Sequence, residues 1–225
     1  MATALQATLA VHAVALLLLL WNWRSWPLSL ALIVGNHLVL AVASLLPRST
    51  WVGANVRRLP PQAAAAGHVA ITIDDGPNPL VTPQVLELLD RFDFKATFFC
   101  IGELVAAHPD IAREIVRRGH EIENHTQSHR LYFWALGPSA IRRQVLQAQK
   151  TIADTVGVAP RFVRAPAGLR NPLLDGILAA TGLRLVSWTR RGFDTVTDDP
   201  AVVMMLLRHT SLNTTTKYYA QRLVM

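Results

Sequence analysis

Two long apolar stretches, residues 4–21 and 28–46, open the chain, separated by the polar and aromatic turn Asn22-Trp23-Arg24-Ser25-Trp26-Pro27. Each is near the roughly 20 residues that carry a helix across a bilayer, and the pattern predicts a transmembrane hairpin. Trp21, Trp23, Trp26 and Trp51 fall where an interfacial aromatic belt would put them. His12, Asn36 and His37 lie inside the apolar stretches and require polar partners there. From His68 onward the pattern changes. Short β-branched or aromatic runs alternate with longer amphipathic ones, as in successive β-α units around a parallel sheet or barrel. Strands are predicted at 69–74, 96–101, 121–124, 161–164 and 184–188, and helices at 83–91, 104–118, 139–156 and 173–181. Thr82-Pro83 and Pro138-Ser139 read as helix starts, and Arg118-Gly119 as a stop. The fold class is therefore α/β.

A chain of 225 residues accommodates one domain with a full core and a smaller piece beside it. Charge sharpens that division. The first 60 residues contain Arg24, Arg48, Arg57 and Arg58 and no acidic residue, so over half of the net charge of +7 flanks the apolar segments. A basic flank of this kind orients a membrane segment. No nucleic-acid partner is expected, despite a sequence pI near 10.5. Three of the four arginines follow the second apolar stretch, so the positive-inside rule leans towards a cytoplasmic location for both ends of the hairpin. A cleaved signal peptide fits less well, because the basic n-region is missing and the apolar span is too long and interrupted. Cys100, the single cysteine, reads as a small buried residue of a strand. His108, His120 and Arg130 read as surface residues. The divisions are an anchor over 1–60, a linker over 61–67, an α/β domain over 68–203 and an atypical tail over 204–225.

The candidate chemistry lies in two short motifs, Thr72-Ile73-Asp74-Asp75-Gly76-Pro77 and His125-Thr126-Gln127-Ser128-His129. Asp75 offers a carboxylate oxygen and the two histidines offer nitrogens. That mixed donor set suits zinc, or cobalt, iron or nickel, and leaves positions open for water and substrate. Asp74 is then spare and adjacent, placed to act as a base. Neighbouring residues of a strand point to opposite faces, so Asp74 and Asp75 share a site only if extended structure ends there, as Gly76-Pro77 suggests. His125 and His129 are four apart, so one helical or turn-like segment would aim both rings at one point. All four residues come at or just after predicted strand ends, where parallel α/β folds build their sites.

With these two motifs go Arg164-Ala165-Pro166-Ala167-Gly168 and Trp188 with Asp194 six residues on. Together, in this order, they resemble the four motifs of the polysaccharide deacetylases, the NodB homology domain of carbohydrate esterase family four. The resemblance covers about residues 69–200. It implies a distorted (β/α) barrel that removes N-acetyl groups from glycans containing N-acetylglucosamine. It implies Asp74 as general base, Asp75, His125 and His129 as metal ligands, and Arg164 as the residue that holds Asp74. Asp194 joins the catalytic set, while Pro166, Ala167 and Trp188 line the substrate and oxyanion side. Ala167 stands where the family has an aromatic residue, and Thr195 where it has Trp. After Val203 the family's late strand, with its acid histidine in a Leu-x-Leu-x-His motif, does not follow. The residues from Arg208 to Tyr219 instead resemble the end of tyrosine recombinases. The expectations are a domain incomplete at its C-terminus, a sheet edge left exposed, and, as the alternative to an active enzyme, a catalytically impaired relative that keeps the metal and binds glycan.

Overall fold

The N-terminal apolar sequence forms two helices, α1 (Thr3–Trp21) and α2 (Trp26–Ser44), joined by a 3-10 turn over Trp23–Ser25 that Asn22 caps by accepting the Arg24 N–H at 3.0 Å. Both are long and apolar enough to cross a membrane, and few of their residues are buried, unlike a core helix of a soluble protein. The polar residues inside them are satisfied locally. The Asn36 amide donates to Thr8 Oγ1 at 3.2 Å, and Ser29 Oγ donates to the Ala15 carbonyl at 3.0 Å, so both contacts cross between the helices. His12 and His37 each place Nδ1 2.8 Å from a carbonyl one turn back, and their rings meet edge to face. Pairing of this kind is what polar groups at membrane depth require.

The computed structural model describes residues 3–191. The chain divides into two compact units, Met1–Ser187 and Trp188–Met225; the first is described below. A short helix α3 (Pro61–Ala65) leads into the sheet. Then come β1 (Ile71–Gly76), α4 (Thr82–Arg91), β2 (Ala96–Cys100), α5 (Gly102–Ala107), α6 (Pro109–Arg117), β3 (Glu121–Asn124), α7 (Pro138–Val156), β4 (Phe162–Val163), α8 (Leu174–Thr181) and β5 (Arg184–Leu185). The five strands are parallel and lie in sequence order, β1-β2-β3-β4-β5. Sequential order means that each helix returns the chain to the start of the neighbouring strand, the singly wound progression of a barrel wall.

Period-two alternation sorts the two faces of the sheet. Ile71, Ile73, Ala96, Phe98, Cys100 and Ile122 point to the helical layer, where Leu86, Leu89, Val105, Ala112, Ile115 and Ile152 close one core cluster. A second cluster joins Phe133, Ile141 and Val145 to Val163, Leu174, Leu178 and Leu185, with α7 spanning both. Cys100 is fully buried, and burial pushes its thiol well above the usual range, so it is a packing residue.

Three expectations change. The helix foreseen over 104–118 is two helices. Pro109 has no N–H to donate and disfavours helical backbone before it, and His108 accordingly adopts φ −131°, ψ 59°. His120 is buried, not superficial: it accepts the Ala96 N–H at Nδ1 and lies against the Phe98 ring. The β5 edge, expected to lie open, carries one parallel bridge. Val56 donates its N–H to the Leu185 carbonyl and accepts the Ser187 N–H, each at 2.9 Å, so a residue from before the domain extends the sheet in parallel.

Candidate active site

The site grows from an irregularity at the end of β1. Its pairing with β2 shifts register between Asp74 and Gly76, and Asp75 adopts a φ of 64°. The strand thus continues to Gly76, beyond the predicted end, and a bulge rather than a stop brings consecutive carboxylates into one site. A left-handed non-glycine residue costs on the order of 1 kcal/mol, a strain that clusters where a side chain must be re-aimed.

The turn after β3 supplies the histidines. It is not helical: Thr126 and His129 have φ of 67° and 44°. Its shape is fixed from several sides. Asn124 Oδ1 accepts the Thr126 N–H at 2.8 Å, and Thr126 Oγ1 accepts the His129 N–H at 3.2 Å. The first N–H groups of α5, on Gly102 and Glu103, donate to the carbonyls of Thr126 and Gln127 at 3.0 and 2.9 Å. Glycine leaves room for the Gln127 side chain here, since a Cβ at Gly102 would lie 2.2 Å from Gln127 Oε1 and displace it. Gln144 of α7 accepts the Ser128 N–H at 3.0 Å.

These constraints bring three donors together. His125 Nε2 and His129 Nε2 each lie 3.2 Å from Asp75 Oδ1, and one ligand atom from each residue falls within 4.8 Å of the others. His125 is buried, with Nδ1 2.8 Å from the Arg164 carbonyl. A carbonyl can only accept, so Nδ1 carries a proton and Nε2 is the nitrogen turned towards Asp75 and His129. Burial, reinforced by His125, lowers the pKa of His129 and so favours the neutral ring, the form that ligates metals. One oxygen and two imidazole nitrogens with a fixed tautomer fit a divalent transition metal.

Asp74 stands beside this trio under the control of Arg164. The guanidinium, 1% exposed, donates from one nitrogen to Asp74 Oδ1 at 2.5 Å and to Thr72 Oγ1 at 3.0 Å, and it lies 3.9 Å from the centre of the Phe99 ring. Thr72 and Asp74 are two apart on β1 and so share its inner face. Thr72 was not singled out from the sequence, although that spacing was there to find it. Asn124 was also missed; its amide donates to the Val145 carbonyl of α7 at 2.9 Å while its oxygen shapes the histidine turn.

Pro166 is buried and Ala167 partly so, in a 3-10 turn over Pro166–Gly168 where Ala167 has φ 54°. The N–H groups of Gly168 and Leu169 donate within that turn, to Ala165 and Pro166. Trp188 begins the second unit, where the Arg191 guanidinium lies over its ring. Asp194, Thr195 and the tail lie outside the described residues.

Comparison with known proteins places the domain in a family. The family model described as polysaccharide deacetylase matches residues 62–186. A chitooligosaccharide deacetylase from Sinorhizobium fredii is 36% identical over 151 residues, 64% of this chain and 70% of that protein. A peptidoglycan-N-acetylglucosamine deacetylase from Bacillus cereus is 36% identical over 121 residues, but the match spans only 54% of this chain and 56% of that protein. Among solved structures, the peptidoglycan deacetylase PdaC from Bacillus subtilis superposes with a TM-score of 0.57 at 28% identity, covering 63% of this chain and 68% of the other.

Proposed function

The chain belongs to the polysaccharide deacetylase family, and from that premise we propose that it is a metal-dependent hydrolase removing N-acetyl groups from glycans that contain N-acetylglucosamine. One observation carries the reading: Asp75, His125 and His129 converge beside an Asp74 that Arg164 holds. Asp75, His125 and His129 would hold the divalent ion, zinc in the first instance. When bound, such an ion polarises the acetamide carbonyl and lowers the pKa of its water towards ~7.

The protein's own residues do the rest. Asp74 takes the proton of the attacking water and hands it to the departing amine nitrogen, so that acetate and a free amine result, and Arg164 acts through it as a positioning residue, fixing the carboxylate with a short ion pair. The Arg164 carbonyl also sets the His125 tautomer, so one residue orients both the base and a ligand. In the turn after Arg164 we assign the Ala167 N–H to the oxyanion that develops on the acetyl group. The hairpin α1–α2 serves as membrane anchor, a reading supported by its length, its apolar surface and its internally paired polar residues.

The test is acetate release from N-acetylchitooligosaccharides by the full chain in detergent, with and without zinc, against Asp75→Ala. Turnover that exceeds this control, is lost to a chelator and is restored by zinc supports the proposal. Turnover equal to the control overturns it in favour of a glycan-binding relative without catalysis. Resistance of the protein to carbonate extraction from membranes tests the anchor separately.

A further inference from the structure

The junction between hairpin and domain has no slack. The Ser44 carbonyl at the end of α2 accepts the Arg170 N–H at 2.9 Å. The Arg170 guanidinium, 1% exposed, donates to the carbonyls of Ser49 and, at 3.2 Å, Ala54. Ser187 Oγ donates to the Pro47 carbonyl at 2.9 Å, and Asp175 Oδ1 accepts the Ala54 N–H at 3.0 Å. Gly53, with φ 134°, passes so close to Asp175 that a Cβ there would lie 2.6 Å from that side chain. Val52 is fully buried, and Val56 pairs with the edge of β5. Residues 44–56 are thus built into the domain.

The end of the domain that receives them matters most. Arg170 follows β4 by a few residues in the same loop as Arg164 and Ala167, Asp175 opens α8 after β4, and Ser187 follows β5. All three lie at the C-terminal ends of the strands, the end that carries Asp74, Asp75, His125 and His129. The anchor therefore joins the domain on the side of the catalytic site. Loops at that end also expose apolar side chains: Leu80 after β1 at 76%, Leu131, Tyr132 and Trp134 after β3, and Leu173 after β4. Among the described residues of the domain, the two exposed aromatic side chains, Tyr132 and Trp134, are both here, with Arg130 beside the Tyr132 ring. Exposed aromatic and aliphatic tips next to arginine are the composition that settles into a lipid interface.

We propose that the site opens towards the bilayer that holds the hairpin, and that its substrate is an N-acetylhexosaminyl group presented at that surface on a lipid carrier rather than a polymer in bulk solution. This rests on the deacetylase and anchor readings above. A sugar held in the same membrane meets the site at a high effective concentration, and the fixed junction leaves no tether by which the site could turn to solvent.

The experiment uses the full chain in phosphatidylcholine–phosphatidylglycerol vesicles, with an environment-sensitive fluorophore on Leu131→Cys or, at the opposite end of the sheet, on the exposed Val158→Cys. The buried Cys100 stays unlabelled. Blue-shifted emission, quenched by nitroxide-labelled lipid at position 131 and not at 158, is the expected result. Equal or reversed quenching overturns the orientation. Acetate release is then compared between a polyprenyl-linked N-acetylglucosamine in the same vesicles and soluble N-acetylchitotetraose at equal bulk concentration, with the lipid-linked sugar expected to react at least about tenfold faster. Faster or equal reaction of the soluble sugar refutes the lipid-linked substrate while the quenching result stands. Reaction with neither refutes the deacetylase reading itself, and protein that washes off the vesicles refutes the anchor.

Discussion

Arg164 and Arg170 are six residues apart, both 1% exposed, and held by different kinds of partner. Arg164 faces a carboxylate, Asp74, with Thr72 and the Phe99 ring completing its surroundings. Arg170 faces backbone carbonyls of the segment leaving the hairpin. An ion pair with a carboxylate orients a reactive group. A fork spread over neutral carbonyls orients a chain. Burial pushes the Arg170 guanidinium below its usual range while Asp175 pulls it back, yet an arginine stays charged under either influence. The loop after β4 thus uses one residue type twice, once against a carboxylate and once against a stretch of backbone.

The widest gap between the two roles is expected on removing what Arg164 serves. Asp75→Ala or His125→Ala abolishes zinc binding and brings acetate release to background, read by metal titration and by end-point assay on protein whose circular dichroism is unchanged. Next, Arg170→Met leaves two carbonyls without their buried donor and destabilises the folded domain by about 3 kcal/mol. It also makes residues 45–58 cleavable by limited proteolysis, while the folded fraction still turns over soluble substrate at the original rate. Loss of soluble turnover with the junction still protected would merge the two roles and sink the distinction. Arg164→Lys keeps the charge but loses the planar guanidinium that lies 3.9 Å from the centre of the Phe99 ring and fixes its direction, so kcat falls by about 100-fold with KM nearly constant.

The smallest effect concerns a cationic side chain that, unlike either arginine, can give up its charge. His120 is buried against Phe98, with Nδ1 accepting a backbone N–H, and burial followed by the nearby Lys95 lowers its pKa. The folded state therefore binds fewer protons than the unfolded one in the window just below pH 6.5. Stability from this group is complete above that pH and is lost as the pH falls towards the lowered folded value. His120→Gln should flatten the slope of stability against pH in that window, measured by urea titration at a series of pH values. An unchanged slope would mean that His120 does not titrate differently on folding.

These contrasts also explain which features were legible in the sequence. Strands β2 and β3 and helix α7 match their predicted ranges within a residue or so, because alternation and helical periodicity are local signals. Asp74, Asp75, His125, His129 and Arg164 were recognisable because compact motifs mark strand ends. The means of bringing them together was less visible. The bulge at Asp75 and the left-handed turns at Thr126 and His129 depend on backbone partners on α5 and α7. His120 and Arg170 carry no local mark of burial, since their partners lie 24 and 116 or more residues away. Pro109 was a visible helix breaker inside the range predicted as one helix, and there the apolar periodicity outweighed a stronger local rule.

The pairing of Val56 with β5 also has a consequence in time. Ribosomal synthesis yields the hairpin and Val56 first and residues 184–187 about 130 positions later. Throughout that interval the Val56 backbone waits for residues that have not yet been made. Closing so long a loop is a late event in folding. Contacts from Arg170 and Asp175 to residues 44–54 can form before residues 184–187 exist, so the junction tightens in two stages, first on the loop after β4 and then on β5.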